Sequence, residues 1–142
     1  RYTLSLEHSS DETRAAVLAP EALAGISATL AGDGLTLSYD TLTLDALTLS
    51  PRVSALNCVP LVLEAFPRAY LESVGRETLD GRETLRADFS MTLAGDKLGA
   101  SLFLAADGAP VCMEVSEDGK IIAAAEFTNF IFGDILPPST QN

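Results

Sequence analysis

The stretch of residues 54–74, SALNCVPLVLEAFPRAYLESV, limits the possible folds more than any other part of the chain. Its polar residues Asn57, Glu64, Arg68 and Glu72 stand seven, four and four apart. On a helix they fall in one narrow stripe and leave most of the circumference apolar, so the helix needs cover on several sides. Glu64, Arg68 and Glu72 form an i, i+4 ladder suited to a single solvent-facing edge. Pro60 and Pro67 each remove a backbone donor and predict a kinked helix built in pieces. The sequence on either side reads as strand, so the expected object is a curled sheet wrapped around one helix.

Before the helix, Tyr2, Leu4 and Leu6 alternate with polar residues as far as His8-Ser9-Ser10-Asp11, and Ala15, Val17 and Ala19 return from that turn. Pro20-Glu21-Ala22-Leu23-Ala24-Gly25 reads as one helical turn opened by Pro and closed by Gly. Ile26, Ala28 and Leu30 lead to the hairpin signal Gly32-Asp33-Gly34, and Leu35, Leu37, Tyr39, Leu42 and Leu44 alternate away from it. Leu47 and Leu49 change parity, which predicts a bulge or bend near Asp45-Ala46.

After the helix, Asp80-Gly81, Gly95-Asp96, Asp107-Gly108 and Asp118-Gly119 mark hairpin turns. Between them Leu85, Ala87, Phe89, Met91 and Leu93 share one face of a strand, followed by Leu98 to Leu104 and then Val111, Met113 and Val115 in the same alternation. Ile121, Ala123, Ala125 and Phe127 are in step on the last strand, and Phe130 and Phe132 change parity, which predicts a second bulge or a switch to burial on both faces. Short connections favour antiparallel meanders on both sides of the helix. One domain over residues 1–133 with a tail over 134–142 accounts for the chain. An N-terminal segment, a signal or lipidation sequence, is expected to have been removed ahead of Arg1.

Twenty acidic against nine basic residues give a net charge of −11, which argues against nucleic acid and anionic lipid surfaces as partners. The one His lies in a turn beside Ser9, Ser10 and Asp11, and neighbours in a turn do not converge as a triad does. The two cysteines lack the spacing of a thiolate metal site. Cys112 alternates with Val111, Met113 and Val115 and so points to their opposite face, which favours free thiols over a bridge to Cys58. No hydrolase, phosphate-loop, dinucleotide or calcium-loop motif is present. The sequence thus predicts no catalytic residues, no metal and no cofactor. The apolar interior is read in two ways, as a filled core or as an apolar cleft between helix and sheet.

The order of these segments resembles a family. Residues 20–26 (PEALAGI), residues 34–40 (GLTLSYD), Ser50-Pro51, the helix with Pro60, Asp80-Gly81, Asp107-Gly108-Ala109-Pro110 and the closing Glu126-Phe127 are similar to the LolA-like lipoprotein-sorting group, and more closely to the small extracytoplasmic lipoproteins of Gram-positive bacteria that share its fold. The resemblance implies a mainly β (α+β) fold: a strongly curled antiparallel sheet, or half-open β-barrel, around one kinked central helix. It implies non-catalytic binding of a lipid or lipoprotein acyl chain in an apolar cleft. Carried over residue by residue, the cleft is lined by Leu35, Leu37, Leu42 and Leu44 on the sheet and by Leu61, Leu63, Phe66 and Tyr70 on the helix. It also implies a location outside the cytoplasm, secreted or tethered through a lipid anchor upstream of this chain. The alternative is a structural or protein-binding module of a cell-envelope complex with a packed core, whose partner takes an edge strand or the polar outer face around Arg86.

Overall fold

The computed structural model describes residues 1–32, 34–45, 58–93 and 95–133. Its strands form two five-stranded antiparallel sheets, each a meander in chain order. Sheet A consists of β1 (Thr3–His8), β2 (Thr13–Ala19), β3 (Ser27–Ala31), β4 (Gly34–Tyr39) and β5 (Leu42–Asp45). Sheet B consists of β6 (Tyr70–Leu79), β7 (Arg82–Leu93), β8 (Asp96–Leu104), β9 (Pro110–Glu117) and β10 (Lys120–Glu126). Helix α1 (Cys58–Ala65) and a 3-10 turn (Phe66–Arg68) stand between the sheets in sequence, and α1 lies against β2 of one and β7 of the other. The mainly β character and the antiparallel meanders are as expected. The single strongly curled sheet is not: among the described residues no backbone ladder joins sheets A and B, and the Arg1–Glu126 ion pair, 3.1 Å, links their neighbouring ends in solvent.

The helix is shorter than its polar stripe predicts. Pro67 cannot continue the hydrogen-bond ladder, the chain tightens into the 3-10 turn, and from Tyr70 it pairs with β7 as far as Leu79. A full strand of ladder bonds outweighs the helical spacing of Glu72, since helix propensity is a weak prior under tertiary pairing. Tyr70 therefore starts a strand and Phe66 sits in the 3-10 turn, so neither belongs to α1. Residues 54–57, with Asn57, lie outside the described residues, as do the expected bend near Asp45-Ala46 and the tail over 134–142.

Turn chemistry explains most strand ends. Asp80 and Gly81 have φ of 49° and 78°, and Asp118 and Gly119 have 49° and 76°, the paired left-handed residues of hairpin turns that match strand twist. Asp107 accepts a hydrogen bond from the Ala109 backbone N–H at 3.0 Å and shapes the β8–β9 connection. At Asp40, φ 53°, the chain turns once more, so the alternation from Leu35 to Leu44 is a hairpin of β4 and β5 rather than one strand. In β10 a register shift between Ile121 and Ala123 sets Ile121 opposite Ser116 and Ala123 opposite Val115. Ile121 thus falls on the outer face, and the bulge sits there instead of at Phe130, which follows the end of the strand.

The main core lies between α1 and sheet B. Val59, Val62 and Ala65 press onto Met91, Leu98, Ala100, Met113 and Val115, and Leu6 of β1 packs against the same cluster. Val115 is 0% exposed and Val62 1%, a burial of about 1.5–3 kcal/mol for each side chain. Eight residues of helix would not persist alone in water, so α1 owes its existence to this packing.

Candidate functional site

Strand register builds an apolar row across the whole of sheet A. Leu6 stands opposite Ala15, Ala15 opposite Ala28, Ala28 opposite Leu37 and Leu37 opposite Leu44. Directly opposed residues share a face, so the row lies on one side of the sheet, with Leu30, Leu35, Tyr39 and Leu42 on that same side by alternation. Its exposure changes along its length. Ala15 and Ala28 are fully buried, Leu37 and Leu35 are half-buried, and Leu44 and Leu42 are 55% and 58% exposed. Tyr39 continues the open part, and its ring edge lies 3.9 Å from the position a Cβ would take on Gly25, whose φ of 91° suits glycine.

Four of the eight residues expected to line the cleft, Leu35, Leu37, Leu42 and Leu44, thus lie together on this shelf. The other four do not join them. Leu63 and Phe66 pack against the sheet B core, where the Phe66 and Phe89 rings meet at 4.4 Å between centroids. Leu61 is buried outside that cluster, and Tyr70 is exposed at the start of β6. The inner face of sheet B has an open end of its own at Leu71, Val74 and Leu85. Leu71 and Val74 are hidden from sequence reasoning by the helical spacing around them, whereas Tyr39 shares the visible alternation of Leu35 and Leu37.

The outer face of sheet B is built differently. Phe103 is 3% exposed there, beneath the Arg86 guanidinium, whose Cζ is 5.5 Å from the ring centre. Arg86 donates from Nε to Asp88 at 2.8 Å and from Nη1 to Glu77 at 3.0 Å, and Ser101 and Ser73 donate their hydroxyls to Asp88 at 2.6 and 2.7 Å. The Ser101 hydrogen bond, followed by those of Ser73 and Arg86, holds the Asp88 carboxyl down at about 2. Asp88 and then Glu77 raise Arg86 in turn. Cys112, a free and half-buried thiol on this face, is pushed up by burial and then by Glu114 and Glu126, which makes it a poor nucleophile.

His8 accepts or donates a 2.7 Å hydrogen bond with the buried Thr13 hydroxyl across the β1–β2 hairpin. That bond satisfies a buried polar group and assembles nothing further. Among the described residues no three of His, Cys, Asp and Glu stand where they could share a metal ion, and no helix is long and apolar enough to cross a membrane.

No protein-family model matches the sequence, and no curated protein matches it either. Solved structures do. A LolA superfamily protein from Nitrosomonas europaea is similar at 12% identity and a TM-score of 0.50, over 92% of this chain. The chain spans 63% of that protein's length. A chain in the structure of the CwlD amidase from Clostridioides difficile in complex with the GerS lipoprotein is similar at 16% identity and a TM-score of 0.53, over 94% of this chain and 85% of that one. Likeness at these identities concerns architecture alone, and by architecture the chain has a LolA-like fold.

Proposed function

We propose that this chain is a non-catalytic binding module that works outside the cytoplasm and takes an apolar ligand, an acyl chain of a lipid or lipoprotein, on the open part of sheet A. The observation that carries this reading is the row Leu6–Ala15–Ala28–Leu37–Leu44, dry in the middle and open to solvent at Leu44. An acyl chain laid beside Leu35, Leu37, Tyr39, Leu42 and Leu44 would remove their exposed surface from water without disturbing the packed core, at about 0.8 kcal/mol for each CH2 buried. A lipid anchor upstream of the chain belongs to the same proposal and would hold the module at a membrane. Native mass spectrometry after incubation with phospholipid, followed by organic extraction, tests the reading. A bound lipid is expected in the parent protein and absent from a folded Leu42→Arg/Leu44→Arg variant; lipid retained equally by both would refute the site.

The second reading, a structural or protein-binding module of a cell-envelope complex, draws on a different observation. One of the similar solved structures comes from a complex of an amidase with a lipoprotein, and the core between α1 and sheet B is filled. In that case the mass of the protein stays unchanged after incubation with lipid, and Arg86→Glu disturbs capture of an envelope partner while leaving the inner face intact.

A further inference from the structure

Among the described residues four strands end a sheet: β1, β5, β6 and β10. At ten residues β6 is the longest of them, against six, four and seven, and it is exposed from Tyr70 through Thr78. A long exposed edge presents a row of backbone donors and acceptors ready for another strand. Proteins protect such edges with charged side chains, with Pro or with bulges that twist the edge away. β6 has a register shift between Leu71 and Ser73, near its start, and beyond that shift no Pro and no further bulge; its charges are Glu72, Arg76 and Glu77, of both signs.

We propose that β6 is a self-complementary docking edge, on which the β6 strand of a second copy of this chain adds antiparallel with Val74 at the two-fold axis. The axis of such a pair is perpendicular to the joint sheet, so opposed residues share a face and the register can move only in steps that keep this parity. Centring on Glu72 or on Arg76 sets like charges against each other. Centring on Ser73 or Gly75 opposes no charges at all. Centring on Val74 sets Glu72 of each copy opposite Arg76 of the other, twice by symmetry.

Four local features fit that register. The shift between Leu71 and Ser73 leaves Glu72 without a counterpart on β7. Gly75, which would face Ser73 of the second copy, has open space around it, with nothing within 4 Å of an added Cβ. Val74 is 53% exposed on the inner face and would be covered by its own twin. Arg76 holds Glu83 at 3.3 Å with both side chains largely in water, a weak contact that it can exchange for Glu72.

Sedimentation equilibrium over a range of concentrations tests this, on the parent chain, on Glu72→Arg and on Arg76→Glu. The parent is expected to dimerise reversibly, and each single reversal to weaken dimerisation by about tenfold or more, since two attractive cross-strand pairs become repulsive. An equimolar mixture of the two variants is expected to associate again, because every pair across that mixed edge is of opposite sign. A parent chain that stays monomeric, single reversals that change nothing, or a mixture that does not associate would each overturn the proposal. If either variant fails to fold by circular dichroism, hydrogen exchange of the parent decides: β6 amides gain protection with concentration if the edge pairs, and protection independent of concentration refutes it.

Discussion

Sheets A and B begin as the same kind of object, a five-stranded meander with one apolar face, and end in different states. On sheet B the apolar face disappears beneath α1 at Met91, Ala100, Met113 and Val115 and opens at its β6 end, at Leu71, Val74 and Leu85. On sheet A the same kind of face is dry at Ala15 and Ala28 and returns to solvent by Leu42 and Leu44. Helix size accounts for the difference. Eight residues make a rod about 12 Å long and about 10 Å across, enough to cover roughly two strands at about 4.8 Å spacing. Among the described residues α1 is the one α-helix between two five-stranded sheets, and by its size it covers neither sheet completely.

Substitutions on the two faces should separate accordingly. Val115→Asp, placing an unpaired charge at a fully buried position, should cost more than about 4 kcal/mol and leave no folded protein by circular dichroism. Phe66→Ala should cost about 2–3 kcal/mol in urea denaturation, because the ring packs on Phe89 and the sheet B cluster; a cost below about 1 kcal/mol would mean that sheet B is as open as sheet A.

On the outer face, Asp88→Asn should cost on the order of 1–2 kcal/mol at neutral pH. The Asp88 carboxyl is lower folded than unfolded, from 3.8 to about 2, so its stabilisation is complete above about pH 4 and is lost as pH falls towards 2. Urea midpoints measured between pH 5 and pH 2 should therefore fall more steeply for the parent than for Asp88→Asn. Leu44→Ser should change stability by less than about 0.5 kcal/mol and still reduce acyl-chain binding. A larger loss of stability would place Leu44 in a core and remove the contrast between the sheets.

The alternation of β7, β8 and β9 was plain in the sequence because one wet and one dry face impose a period of two, and the Asp-Gly turns fixed where those strands stop. The row on sheet A was visible for the same reason, down to Leu35, Leu37, Leu42 and Leu44. The helix boundary was not. Residues 66–74 carry a helical spacing of Arg68 and Glu72 that means nothing once β7 supplies ladder bonds, and only the partner strand, distant in sequence, decides between the two. The Asp40-Thr41 turn carries no such signal, because an Asp in the left-handed region there lacks the following Gly that usually announces a turn. The separation into two sheets was equally hidden, since alternation says which face a residue takes and nothing about which strands meet.

Chain-order pairing has a consequence for how the molecule comes into being. Every described strand pairs with strands next to it in the chain, so each ladder closes a short loop and the cost of bringing distant segments together is largely deferred. A chain released N-terminus first holds the described backbone partners of sheet A once it has passed Asp45, whereas α1, which can already meet β2, must wait for β7, β8 and β9 before the cluster of Val59, Val62 and Ala65 with Met91, Ala100 and Val115 can close. Sheet A would then spend the early life of the protein with most of its apolar face uncovered, and the shelf at Leu42 and Leu44 is the part of that early surface which the finished fold still leaves open.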